Sequence, residues 1–220
     1  APFEFKSLVN GKDTLVGADI ELAKAIGEKL GVKVEFSVMS FDNVLANVQS
    51  GKADIAIAWI CVTDDRKKVY DFSDSYYTSE NVVIVKKDKV NDYTSTDSLA
   101  KQTVGTQKGS VQETVAKKQI SKASVVSLAS NGEMINELKS GQLQAVVLEK
   151  AIAEGYIAQN DDLTLANFNL KSDGTDAYAV ATRKGSDDLL KEINAVIKET
   201  KDSGKFDQWL KEASTYKQSK

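Results

Sequence analysis

Only two arginines, Arg66 and Arg183, stand among the 29 basic residues of this 220-residue chain. Where any cation would serve, the chain uses lysine. Arginine offers a rigid planar fork that meets a carboxylate through two parallel hydrogen bonds, which lysine does not. Arg66 follows the apolar run Asp54–Ile60 and the turn Cys61-Val62-Thr63-Asp64-Asp65. Ligands of α/β sheets bind beyond the carboxyl ends of strands, so Arg66 is a candidate anchor for an anionic group. It reads equally well as a helix N-terminal arginine paired with Asp64 or Asp71. A second candidate is Gly105-Thr106-Gln107-Lys108-Gly109-Ser110, ahead of a helix opening at Val111. Ser110 can cap that helix, with Glu113 completing a capping box. Free N–H groups at such an end attract a carboxylate, although an ordinary cap explains the pattern as well. The phosphate-binding spacing GxxxxGK[ST] is absent. Glu149 ends a second apolar strand, Gln144–Leu148, and suits a ligand ammonium or a solvated strand end. Phe41 opens a helix and can stack on a ligand or join a core.

Other chemistries are excluded or weak. No histidine and one cysteine leave no zinc site and no histidine-based triad. Cys61, without a histidine to activate it, reads as an inert thiol. Asp64-Asp65 and Asp161-Asp162 lack calcium-loop spacing and read as solvated turns. A net charge of −3 and a pI of about 5.2 argue against nucleic acid. No apolar stretch approaches the roughly 20 residues of a membrane span. A 41% share of hydrophobic residues is enough to fill a core. No cofactor is expected. The opening Ala1-Pro2-Phe3-Glu4-Phe5 has no leader pattern, and a processed secreted protein would look the same.

The elements that must position these residues alternate between apolar β runs and helical patterns. Asp19–Leu30 reads as a helix with Ile20, Ala23, Ile26, Gly27 and Leu30 on one face, stopped by Gly31. Val32–Val38 reads as a strand, Phe41–Gln49 as a helix, and Asp54–Ile60 as a strand covered on both faces. The grammar recurs in Lys122–Leu128 (strand), Gly132–Lys139 (helix) and Gln144–Leu148 (strand). The segment from Ser50-Gly51 to Ile57 overlies that from Ser140-Gly141 to Val147 at an offset of 90 residues. Two copies suggest two similar α/β lobes. Asn81–Lys87 and Ala177–Arg183 flank the second copy. If both cross between lobes, the second lobe (86–177) is inserted into the first (1–83 plus 181–220), with hinge strands near 81–87 and 177–183. Asp187–Ala213 is helical, amphipathic and broken at Gly204, and should pack on the first lobe.

Several segments together resemble the polar amino-acid solute-binding proteins of ABC importers. They are Ala1-Pro2-Phe3-Glu4-Phe5, Leu15 to Ala23, Ser50 to Ile55, and Val62 to Ser73 with its T-x-x-R-x-x-x-x-x-F-S pattern. The resemblance covers essentially the whole chain. It implies two three-layer α/β lobes joined by two crossing strands, a ligand cleft between them, and hinge closure on one α-amino acid, basic ones included. Carried over by position, Arg66 clamps the α-carboxylate with the N–H groups of Cys61 and Val111 and the Ser110 hydroxyl. Glu149 and the Trp59 carbonyl accept from the α-ammonium, Phe41 packs on the side chain and Gln107 reads it. The implied partner is a membrane permease, the implied location extracytoplasmic (periplasm or cell-surface lipoprotein), and the implied state a monomer. The family usually carries Gly or Ser where Trp59 stands and Ser or Thr where Cys61 stands. Its first strand precedes the APFEF segment. Two alternatives stand beside this reading: a dehydratase-like enzyme with Glu149 as general acid, and a pocket blocked by Trp59.

Overall fold

The computed structural model describes residues 1–172 and 176–219. The chain folds into two compact units, one of residues 1–39, 43–78 and 177–220, the other of residues 40–42 and 79–176.

The first unit opens with a hairpin, β1 (Phe5–Val9) and β2 (Lys12–Val16), followed by α1 (Ala18–Leu30). Gly17, at φ +129, lets the chain double back. The Pro2 and Phe3 carbonyls then accept from the Ala18 and Asp19 N–H groups at 3.1 and 2.9 Å, closing the start of α1. After α1 the expected strand Val32–Val38 is not formed. Residues 32–40 join no ladder, and Val32, Phe36 and Val38 are exposed. β-propensity becomes a strand only where a neighbour accepts its hydrogen bonds, and none does among the described residues. Then come α2 (Phe41–Gln49), β3 (Ile55–Ala56), α3 (Asp64–Val69), β4 (Tyr70–Phe72) and β5 (Tyr77–Thr78). The run Asp54–Ile60 is thus strand over only two residues. It pairs on one side alone, with the strand β12 described below, so it lacks the second neighbour that holds a long central strand.

The second unit is built on one five-stranded sheet. Its elements are β6 (Asn81–Lys86), β7 (Thr103–Gln107), α4 (Val111–Gln119), β8 (Ser124–Leu128), α5 (Asn131–Ser140), β9 (Ala145–Glu149), α6 (Lys150–Gln159) and β10 (Leu163–Leu165). The strand order is β10-β6-β9-β7-β8, with β7 parallel to β8 and β9, and β6 antiparallel to β9. Every residue of β9 is buried. Val146 and Leu148 pack with Met134, Ile135 and Leu138 on one face, while Ala145 and Val147 pack with Ala116 and Ile120 on the other. Alternate residues of one strand therefore serve two layers of helix.

The chain returns to the first unit through β11 (Ala177–Tyr178), β12 (Ala181–Arg183), α7 (Asp187–Asp202) and α8 (Lys205–Ala213), with Gly204 between the last two at φ +68. β12 lies between β3 and β4. The chain passes between units at 78/79 and 176/177. Asn81–Lys86 lies inside the second sheet rather than at a crossing, because β9 and β10 bond to both its edges.

The 90-residue offset is reproduced bond for bond. Gly51, Lys52 and Ala53 donate N–H to the carbonyls of Val48, Asn47 and Asn47. Gly141, Gln142 and Leu143 donate to Leu138, Glu137 and Glu137. Both glycines are left-handed, at φ +78 and +85, as this helix stop requires.

Candidate functional site

In the first unit the candidate groups lie between β3 and α3. Thr63 caps α3, its Oγ1 accepting from the Arg66 N–H at 3.1 Å. The half-buried Arg66 side chain turns back, and its Nη1 donates to the Cys61 carbonyl at 2.8 Å. Burial lowers the guanidinium pKa, while Cys61, Tyr70 and Tyr178 oppose that shift. The acids suggested by sequence as partners are engaged with lysines: Asp64 lies 3.6 Å from Lys67 and Asp71 2.9 Å from Lys184. Cys61 is buried, and a backbone bridge to Tyr178 fixes its peptide.

Trp59 lies in an aromatic cluster. Its ring stacks on Phe3 and Tyr178 at centroid distances of 3.3 and 4.2 Å, and Tyr77 lies 4.9 Å away. Its backbone N–H donates to Asp19 Oδ2, which also accepts from the Tyr76 hydroxyl, both at 3.1 Å. Asp19 is 1% exposed. Burial pushes its carboxyl up to about 7, and the Trp59 and Tyr76 hydrogen bonds act against that shift. Sequence reasoning missed Asp19, which looks like an ordinary first-turn acid favourable to the helix dipole. The available signal was its place amid Ala18, Ile20, Leu22 and Ala23, all of them buried.

In the second unit, Gln107 ends β7 and its carbonyl accepts from the Ser110 N–H at 3.1 Å and hydroxyl at 2.7 Å. Ser110 Oγ in turn accepts from the Glu113 N–H, capping α4. Glu113 closes the box on Gly109 N–H at 3.0 Å rather than on Ser110, whose own N–H the Gln107 carbonyl has taken. Val111 follows as the first helical residue, buried. Gly109 has φ +76, and a Cβ there would stand 3.1 Å from Asp42 Cβ. Asp42, in turn, pairs with Lys108 at 2.9 Å. Phe41 is half-buried at the start of α2 and groups with this second unit rather than the first, because the short 40–42 stretch packs on the Lys108-Gly109 turn.

Glu149 is not a solvated strand end. It is 1% exposed, and its two carboxylate oxygens accept from the Ala151 and Ile152 N–H groups at 3.0 and 3.2 Å as the cap of α6. Within the first unit the structure brings together Trp59, Cys61 and Arg66. Within the second it brings together Gln107, Ser110 and Val111 at one turn, with Glu149 at the end of β9, one strand over. Among the described residues no cluster of His, Cys, Asp and Glu could hold a metal.

Two α/β units with a guanidinium, capped helix starts and a buried carboxylate beyond their strand ends define a solute-binding protein of the periplasmic-binding type. The sequence pattern of the bacterial extracellular solute-binding proteins, family 3, matches residues 1–213, and the chain belongs to that family. The arginine-binding extracellular protein ArtP of Bacillus subtilis (strain 168) is 34% identical over 215 residues, covering 96% of this chain and 80% of the relative. An amino acid ABC transporter substrate-binding protein, AbpA, of Streptococcus pneumoniae Canada MDR_19A, solved with L-arginine, is 49% identical with a TM-score of 0.95. That match covers 98% of this chain and 90% of the other. A second amino acid ABC transporter substrate-binding protein from the same strain, also bound to L-arginine, is 45% identical with a TM-score of 0.97, covering 100% of this chain and 91% of its own. No helix among the described residues is long and apolar enough to cross a membrane.

Proposed function

We propose that this chain captures an L-α-amino acid, polar and basic ones included, outside the cytoplasmic membrane and delivers it as a monomer to the permease of an ABC importer. The observation that carries the reading is the Thr63-capped turn. It holds a half-buried guanidinium against the Cys61 carbonyl, in a chain with an arginine-bound relative that is 49% identical.

In this reading Arg66 and the Cys61 N–H take the α-carboxylate, and Ser110 and the Val111 N–H at the start of α4 add donors to it. Glu149 and the Trp59 carbonyl take the α-ammonium, while Phe41 and Gln107 meet the side chain. The two α6 N–H groups that donate to the Glu149 carboxylate hold it at the end of β9. No bond is made or broken in this function. The test is calorimetric titration with the twenty L-amino acids on the wild type and on Arg66→Ala. One or a few ligands should bind, and Arg66→Ala should weaken them by at least the roughly 1.5–3 kcal/mol of a charged hydrogen bond. Unchanged affinity in Arg66→Ala would refute the carboxylate role.

A further inference from the structure

Trp59 sits where neither its backbone nor its hydrogen bonding favours a tryptophan. At φ +52 it lies in the left-handed region, rare for bulky residues and retained mostly where function requires it. Its indole is 5% exposed, yet Nε1 has no hydrogen-bond partner among the described residues. A buried tryptophan N–H normally finds one. What holds the ring is stacking between Phe3 and Tyr178 and the pinning of its backbone N–H by Asp19. It stands just past β3, at the strand end where α/β sheets receive ligands, seven residues before Arg66.

We propose that Trp59 is a specificity-determining residue: its indole, held just past β3 between Phe3 and Tyr178, takes space that a ligand side chain would need, so the chain favours amino acids with short side chains, and shortening Trp59 admits long cationic ones. This rests on the amino-acid reading of the same site. Removing the indole uncovers the ring faces of Phe3, Tyr77 and Tyr178, which attract a guanidinium or ammonium.

The experiment compares the wild type with Trp59→Gly and Trp59→Asn, two residues that accept the left-handed backbone. Each is titrated calorimetrically with L-serine, L-alanine, L-lysine and L-arginine, with far-UV circular dichroism to check folding. The wild type should bind L-serine or L-alanine more tightly than L-arginine, and both variants should bind L-arginine at least tenfold more tightly than the wild type does. Wild-type binding of L-arginine as tight as, or tighter than, that of the short amino acids overturns the proposal whether or not the variants fold, and leaves the amino-acid reading standing. Folded variants with unchanged arginine affinity overturn it as well. Silence of all three proteins toward all four ligands overturns the proposal, and only silence toward all twenty L-amino acids overturns the amino-acid reading as well.

Discussion

Asp19→Asn gives a prediction whose sign and size both follow from burial. The Asp19 carboxyl is lifted from 3.8 to about 7, first by loss of water, so the native chain holds a proton that the unfolded chain has released. An acid whose folded pKa is raised contributes most at low pH, and its contribution declines as pH climbs from the unfolded value through the folded one. From pH 5 to pH 7 the loss is about two pKa units at about 1.36 kcal/mol each, or about 2–3 kcal/mol. Glu4, raised well above its ordinary value by burial and by the neighbouring Asp19, titrates together with it as a pair. The chain has no histidine, and the depressed carboxyls Asp42, Asp65, Asp71 and Glu113 finish ionising below that range. Burial lowers the Ala1 amino group, which acts in the opposite sense as pH rises toward 8, with Glu4 and Asp19 opposing that lowering. The difference between wild type and variant reports on the Asp19–Glu4 pair, because losing the Asp19 charge also relieves Glu4, while Asn keeps an acceptor for the Trp59 N–H and the Tyr76 hydroxyl. Both tryptophans, Trp59 and Trp209, belong to the first unit, so urea unfolding followed by their fluorescence reports on that unit. The wild-type midpoint should fall between pH 5 and 7, and that of Asp19→Asn should fall by clearly less. A wild-type midpoint that rises over this range, or equal slopes in the two proteins, would refute the assignment of a protonated buried Asp19.

Two further substitutions test the local architecture. Gly17→Ala would drive a Cβ into the Phe3 carbonyl at φ +129, and should destabilise the first unit by at least about 3 kcal/mol, measured by the same fluorescence. A loss under 1 kcal/mol would mean that the Pro2-Phe3 segment does not close α1. Ser110→Ala removes the α4 cap and one donor to the Gln107 carbonyl, and should cost about 1 kcal/mol. The check is faster hydrogen exchange at the Glu113 amide, and unchanged exchange would count against the cap.

The helices and their stops were legible because their signals are local. Phe41–Gln49 appears with the expected bounds, and the Ser-Gly stops of the two copies close with matching hydrogen bonds. What was not legible depends on partners distant in sequence. Val32–Val38 has the composition of a strand, and its counterpart β8 becomes one because β7 lies beside it, while residues 32–40 have no such neighbour. Asp19 was invisible for the same reason: only the approach of Trp59 and Tyr76, 40 and 57 residues away, makes a first-turn acid a buried one.

The internal repeat also explains where the two units part company. Trp59 and Glu149 occupy equivalent places, 90 residues apart, after the apolar strand of each copy. In the second copy the helix starts at once: Glu149 is both strand end and cap, and α6 begins at Lys150. In the first copy capping passes to Thr63, and α3 begins only at Asp64. The residues between β3 and that cap are thereby released from both strand and helix. This is the stretch that carries the left-handed Trp59, the Cys61–Tyr178 bridge and the carbonyl that holds Arg66. Backbone freed from regular hydrogen bonding beside a rigid strand end can be shaped for a ligand without disturbing the core. In the second unit that latitude lies at the turn 107–110, where Gly109 and Ser110 sit between β7 and α4. The same scaffold thus offers a variable segment at a different strand end in each unit, one carrying the Arg66 turn and the other the Ser110 cap.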